Sequence, residues 1–164
     1  MNTMTTADGT TTIQADPNVP LIRMTREFHA TPAQLVRAHT DPDLFVQWVG
    51  PNETASRIDY WDARTGGSWR FTGSHDDEEY GFRGCFHEVS DERIVQTFTY
   101  EGAPEGVALE TLSFEDLGDG RTRLVATSLV DSFEGRDAWL SSGMEVGVND
   151  GYAKLDQLLA DGAV

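Results

Sequence analysis

Residues 137–160 read DAWLSSGMEVGVNDGYAKLDQLLA. Apolar or small side chains recur in this stretch every three or four residues, which is the period of one face of an α-helix. Polar side chains fall largely between them, as expected of a helix that packs one side on a core. The sequence therefore predicts one long amphipathic helix from Asp137 to Ala160. Its apolar stripe consists of Leu140, Met144, Val148, Gly151, Leu155 and Leu158.

Upstream of this helix the pattern is that of β-strands. Alternating polar and apolar residues are separated by short turns rich in Gly, Asp and Ser. Short turns join strands of an antiparallel sheet, so the predicted fold class is α+β. After the first strand, Thr31-Pro32 and Asp41-Pro42 are start signals for two short helices. The predicted strands are 19–28, 54–61, 68–72, 80–89, 93–100, 107–115 and 121–130.

Length and composition narrow the function. The 164 residues suit one domain, and the formal net charge is −16, from 28 acidic and 12 basic residues. This charge argues against nucleic acid and against anionic membrane surfaces, which both attract clustered Lys and Arg. It favours solubility or the steering of a cationic partner. Residues 1–18 are Thr-rich without an apolar run, so we expect a disordered tail there, no secretory signal, a single domain over 19–164 and a cytoplasmic protein.

No stretch carries a recognisable catalytic or metal-binding motif. The histidines are not spaced as zinc ligands, and the sequence predicts neither a metal nor a cofactor. Cys85 is more readily explained as a small buried residue than as a nucleophile. Arg64 and Arg70 flank the Gly66-Gly67 turn and suit either salt bridges or an anchor for an acidic ligand group. We therefore predict no catalytic residue and favour a binding protein over an enzyme.

Seven motifs, spread over roughly residues 19–160, recur in a characteristic order and spacing. They lie at 41–51, 62–71, 84–89, 93–95, 111–114, 120–122 and 143–148. Together they resemble the START-like or SRPBCC superfamily, the helix-grip fold of the birch-pollen allergen. Within it they are similar to the AHSA-type branch, named for the activator of a heat-shock chaperone's ATPase. One departure is Val148, where that branch often carries an aromatic residue.

The resemblance implies a seven-stranded curved antiparallel sheet that grips the C-terminal helix around a cavity. Members of the superfamily bind hydrophobic small molecules, cyclise polyketides or serve as chaperone partners. We expect a small apolar ligand, with a monomer or a homodimer both compatible with the fold. The candidate lining residues are Trp48, Trp61, Trp69, Phe71, Phe82, Phe86, Phe98, Tyr100, Phe114, Met144, Val148 and Tyr152.

Three alternatives remain open at this level. The aromatic side chains could simply fill the core, with no ligand between them. The protein could be an enzyme of the polyketide cyclase or dehydratase type, with His87, Glu88 or Tyr100 facing the cavity as acid or base. It could also bind a chaperone, although the eukaryotic activators carry an additional N-terminal domain that we do not expect here.

Overall fold

The structure is a computed structural model that describes residues 9–164. Its strands are β1 (Thr12–Ala15), β2 (Leu21–Phe28), β3 (Ala55–Trp61), β4 (Ser68–His75), β5 (Glu78–Val89), β6 (Arg93–Tyr100), β7 (Ala108–Gly118) and β8 (Arg121–Leu129). They form one sheet in the order β1-β2-β8-β7-β6-β5-β4-β3, and every neighbouring pair is antiparallel. The chain therefore returns through β8 to lie beside β2.

The α+β fold with an antiparallel sheet is confirmed, but the sheet has eight strands and not the seven predicted. The additional strand, β1, lies inside the segment expected to be a disordered tail, so that expectation is wrong for residues 12–15. Residues 1–8 lie outside the described part of the chain. Strand β1 pairs with β2 from Thr12↔Thr25 to Ala15↔Ile22. It covers backbone groups that would otherwise stay unpaired at the edge of β2.

Two short helices follow β2, as predicted. Helix α1 (Pro32–Thr40) begins with a capping box, in which Thr31 and Gln34 bond each other's backbone N–H groups. Helix α2 (Pro42–Trp48) begins at Asp41, whose carboxylate accepts a hydrogen bond from the Asp43 backbone N–H. Both helices carry Pro at their first position, where the missing N–H has no intrahelical acceptor.

The C-terminal helix predicted from Asp137 to Ala160 is in fact two helices, α3 (Phe133–Ser141) and α4 (Met144–Ala160). Gly143 separates them, with a φ of 85° that L side chains rarely adopt. The i, i+4 pattern continues across this break, which explains why the apolar stripe alone did not reveal it. No helix within residues 9–164 is both long and apolar enough to cross a membrane.

Helix α4 packs on the inner face of the sheet through its second half. Leu155 is fully buried, and Tyr152 meets Phe28 of β2 edge to face at 5.3 Å between ring centroids. A buried guanidinium, that of Arg26 on β2, forms a bidentate ion pair with Asp156 at 2.6 and 2.9 Å. These contacts fix the helix over β2, and a cavity remains on its other side, towards β4 and β6.

Candidate functional site: an internal cavity with a buried carboxylate

A cavity of about 160 Å³ lies between the inner face of the sheet and helices α1, α2 and α4. Its walls are mostly aromatic and aliphatic. Ligand sites for drug-sized molecules are typically about 300–1,000 Å³, whereas a dry cavity of about 150 Å³ accepts benzene. The volume therefore suits a molecule built on a single ring. Six of the predicted residues line it: Trp48, Trp61, Trp69, Phe71, Phe98 and Tyr152.

The other six predicted residues do not line the cavity. Phe86 and Phe114 are buried in the surrounding core. Phe82 stands behind the cavity wall, stacked at 5.0 Å on Phe71. Tyr100 ends β6 and is 40 % exposed, beside the ring of Phe82. Alternation along the strands placed these rings on the inner face but did not show which of them reach the cavity.

The remaining two, Met144 and Val148, show that the expected cavity wall on the first half of the C-terminal helix is wrong. Helix α4 contributes only Tyr152 to the lining. The space left by its glycines is filled by protein: a Cβ on Gly151 would lie 3.0 Å from the Trp48 carbonyl oxygen. The end of α2 thus packs against the small residues of α4, and α1 and α2 form the wall that α4 was expected to form.

Nine lining residues were not predicted. In the sequence, the apolar residues of the short helices and of the loop after them look like ordinary packing positions. Two polar residues of the sheet, Gln96 and Glu110, are visible only as interruptions of an inward apolar series. The nine are Met24, His39, Phe45, Val49, Ile94, Gln96, Glu110, Leu112 and Ala126.

Glu110 is the notable polar residue of the lining. On β7 it takes an inward position in the series Ala108, Glu110, Leu112 and Phe114, all others of which are apolar. Gln96 Nε2 donates to its Oε1 at 3.0 Å, and Ser128 Oγ donates to its Oε2 at 2.9 Å. Burial raises the pKa of Glu110, and these two hydrogen bonds only partly oppose that rise.

The two donors come from the strands on either side. Gln96 on β6 and Ser128 on β8 are the residues directly opposite Glu110 in the ladders. One polar row therefore crosses three neighbouring strands of an otherwise apolar face. Glu110 keeps part of its surface accessible although protein atoms surround it, because it borders the cavity. Such an interior carboxyl group can accept a hydrogen bond, take up a proton or neutralise a cation.

Two more polar groups border the same cavity. His39 Nδ1 lies 2.7 Å from the Leu35 carbonyl oxygen, which can only accept, so Nδ1 carries the proton. Burial lowers the pKa of His39 to about 4, so the ring is neutral at pH 7 and its Nε2 is an acceptor. Trp69 is 2 % exposed, and its indole N–H is buried without an acceptor among the described residues.

Residues expected to act as acid, base or anchor in the cavity lie elsewhere. His87 is exposed, and Glu88 forms an ion pair with Arg93 at 2.6 Å. Tyr100 stands outside the lining, so none of the three faces the cavity. Arg70 is held on the outer face by Glu101 and Asp59, and the hydrogen bond to Glu101, followed by the charge of Asp59, raises its pKa. Of the two roles predicted for Arg70, the structure shows the salt bridge.

The structure agrees with the salt bridge predicted for Arg64 and contradicts the burial predicted for Cys85. Arg64 pairs with Asp62 at 2.9 Å and is mostly exposed, in agreement with a salt bridge. Cys85 is exposed, so the expectation of a buried cysteine is wrong. It occupies an outward position on β5, and its backbone N–H bonds the Thr97 hydroxyl.

Comparison with solved structures supports the fold. A protein from Rhodobacter sphaeroides has 26 % identity and a TM-score of 0.81, over 90 % of this chain and 98 % of that one. Protein Ms6760 from Mycobacterium smegmatis has 21 % identity and a TM-score of 0.82, over 92 % and 97 %. DynU16, a protein of the dynemicin biosynthetic locus, has 19 % identity and a TM-score of 0.64. That match covers 87 % of this chain but 48 % of DynU16.

Sequence comparison gives the family. No curated protein matches the chain. Residues 29–160 match the family described as activator of Hsp90 ATPase homolog 1-like protein, and this range includes all four helices and the strands from β3 to β8. The resemblance inferred from the motifs is thereby confirmed, and the chain belongs to the activator of Hsp90 ATPase homolog 1-like family, with the START-like helix-grip fold.

Proposed function

We propose that this protein binds a small, mostly apolar molecule of single-ring size in the cavity between sheet and helices. The observation that carries the proposal is the indole N–H of Trp69, which is buried beside a cavity and has no acceptor among residues 9–164. An unpaired buried donor costs about 1–3 kcal/mol. A ligand that carries an acceptor would remove this cost when it binds.

The other indoles of the lining support this interpretation. Trp48 Nε1 donates to the Ala38 carbonyl oxygen at 3.0 Å, and Trp61 Nε1 donates to the Thr40 carbonyl oxygen at 2.8 Å. Both side chains are thereby locked to α1. Of the three indole N–H groups in the lining, that of Trp69 is the one without an acceptor among residues 9–164.

Indole N–H resonances provide the test of this proposal. When phenol is added, we expect the Trp69 indole proton to shift downfield in ¹H–¹⁵N spectra, because its N–H gains an acceptor. The indoles of Trp48 and Trp61 already have acceptors and should move much less. Trp69→Phe removes the donor, and we expect it to weaken phenol binding by about three- to tenfold.

Toluene is the matched control, since it has the size of phenol but no acceptor. Trp69→Phe also enlarges the cavity, and that effect should act on both molecules alike. If phenol, toluene and other one-ring compounds all leave the spectra unchanged at millimolar concentration, the cavity is only a packing defect and the proposal fails.

A second candidate is an enzyme that moves a proton on a molecule in this cavity. Its support is Glu110, because a carboxyl group whose pKa is raised by burial is suited to acid–base catalysis near neutral pH. Acetophenone in D₂O tests the simplest such reaction, proton abstraction next to a carbonyl. Faster loss of the methyl signal with wild type than with Glu110→Gln would support it, and exchange at the buffer rate would count against it.

The polyketide cyclase or dehydratase type is the specific form of this second candidate. The likeness to DynU16 shows the fold alone, so it adds no evidence on the reaction. A chaperone-binding role ranks third, because its support is the family description and no residue contact. Stimulation of an Hsp90 ATPase by the purified protein would test it directly.

A further inference from the structure

Glu110 carries a carboxyl group that has no cationic partner among residues 9–164. Its two oxygens accept hydrogen bonds from Gln96 and Ser128, both neutral, and none of the ion pairs among residues 9–164 includes it. Taking a charged carboxylate out of water costs several kcal/mol unless a partner of opposite charge is present. Its two hydrogen bonds come from neutral groups and bring no opposite charge to the carboxyl group.

Among residues 9–164, no positive charge is placed to serve as the partner. His39 on α1 is neutral at pH 7. Arg26 on β2 lies 5.7 Å from the ring of Tyr152, but Asp156 of α4 already neutralises it. Burial raises the pKa of Tyr152, so this residue contributes a neutral hydroxyl. The described residues therefore leave the positive charge of this site to a ligand.

We propose that the cavity binds a small organic ammonium ion, with its charged nitrogen against Glu110 and a ring-sized apolar body among the aromatic side chains. The inference rests on the function proposed above and specifies its ligand. Aromatic faces attract cations within about 6 Å, and this attraction increases when water is excluded. Phe45, Trp61, Trp69 and Phe98 provide rings on several sides of the cavity.

The charge of the whole protein acts in the same direction. At −16, the chain attracts cations from solution and raises their concentration near its surface. The acidity then has a use beyond solubility. The unpaired indole N–H of Trp69 remains available for an acceptor elsewhere on the same ligand, so the two contacts are compatible.

Benzylamine and benzyl alcohol form the test pair, because they have the same heavy-atom skeleton and only the amine is charged at pH 7. Calorimetric titration of the wild-type protein should show benzylamine binding at least tenfold more tightly than benzyl alcohol. Glu110→Gln keeps the shape and removes the charge. We expect it to lower the affinity for benzylamine at least tenfold and to change the affinity for benzyl alcohol less than threefold.

Glu105→Gln is the control for net charge. Glu105 is exposed in the loop between β6 and β7, and this substitution changes the net charge by the same amount as Glu110→Gln. Its affinity for benzylamine should stay within twofold of wild type. If Glu105→Gln lowers the affinity for benzylamine as much as Glu110→Gln does, benzylamine is attracted by the general acidity of the protein and the specific site is refuted.

Two further measurements separate the possible failures. If Glu110→Gln does not fold, the wild-type preference for benzylamine over benzyl alcohol decides alone. Proton release on benzylamine binding, measured in buffers of different ionisation enthalpy, gives a second readout, since the bound cation favours the ionised form of Glu110. If benzyl alcohol or toluene binds and benzylamine does not, the cation inference is wrong while cavity binding stands. If none of them binds, both are wrong.

Discussion

Replacing Gly84 by alanine is expected to destabilise the protein by about 3 kcal/mol, the upper part of the usual range for overpacked sites. Gly84 lies on β5 directly opposite Trp69 of β4. A Cβ at this position would lie 2.0 Å from the Thr97 carbonyl oxygen and 2.6 Å from the Trp69 ring. Neither group can retreat easily, because one is backbone and the other is a buried indole. Urea unfolding followed by circular dichroism measures the loss.

Gly73→Ala is the matched control. Gly73, on β4, is also an inward glycine of the same sheet. A Cβ added there would lie 3.9 Å from its nearest neighbour, the Phe82 ring, which is an ordinary contact. We expect a change within about 0.5 kcal/mol, or a small gain from the lower entropy of the unfolded chain. Equal effects of the two substitutions would show that strand entropy, and not the close approach of the Trp69 ring, governs both sites.

Gly84 also bears on the cavity, because it makes room for the ring of Trp69. If Gly84→Ala folds at low temperature, the indole must move, and the Trp69 N–H resonance should shift even without ligand. The sequence shows a glycine within a strand, which often marks a close approach. It does not show that the approaching group is the free indole of the cavity.

The parts of the fold that could be predicted are those set by local chemistry. Thr31-Pro32 and Asp41-Pro42 determine where α1 and α2 begin, and alternation along β4 correctly placed Trp69 inside. Contacts between distant segments could not be read in this way. The close packing of Gly151 against the Trp48 carbonyl is an example. It depends on how α2 and α4 meet, and neither segment encodes that alone.

Glu110 is a lining residue for which the sequence does carry a signal. On β7 every second residue from Ala108 to Phe114 faces the helices, and only Glu110 among them is charged. A charged residue in an inward series is expected to be paired or functional. The sequence could not show that Gln96 and Ser128 would be its neighbours, since that depends on the register of three strands.

The same residue gives the second large effect, a loss of stability with rising pH that Glu110→Gln removes. Burial raises the pKa of Glu110 above its ordinary value of 4.5, so between the unfolded and the folded pKa the native state holds more protons. Stability is therefore greatest where Glu110 is protonated in both states, and it falls as pH rises through the folded pKa. By pH 8 we expect Glu110→Gln to be more stable than wild type by about 2 kcal/mol, the scale of a buried charge with too few partners.

Urea unfolding from pH 4 to pH 8 gives this difference as a curve. Other groups titrate with the opposite sign. The hydrogen bond from Thr72 lowers the pKa of Asp59, the hydrogen bond from Arg70 lowers that of Glu101, and burial lowers that of His39 to about 4. All of these cost stability as pH falls. These groups are present in both wild type and Glu110→Gln. Subtracting one unfolding free energy from the other therefore removes their contributions and leaves that of Glu110.

The groups that face Glu110 define what the curve must look like. Tyr152 of α4 and His39 of α1 line the cavity, and both stay neutral between pH 5 and pH 8. The nearby guanidinium of Arg26 on β2 is paired with Asp156. The difference should therefore follow a single titration, and Glu105→Gln should not reproduce it. A flat difference would mean that Glu110 is ionised and satisfied by Gln96 and Ser128 alone, and the need for a cationic ligand would disappear. If rising pH lowers the stability of the wild type relative to Glu110→Gln, and benzylamine restores it, one experiment would show both the buried charge and its proposed partner.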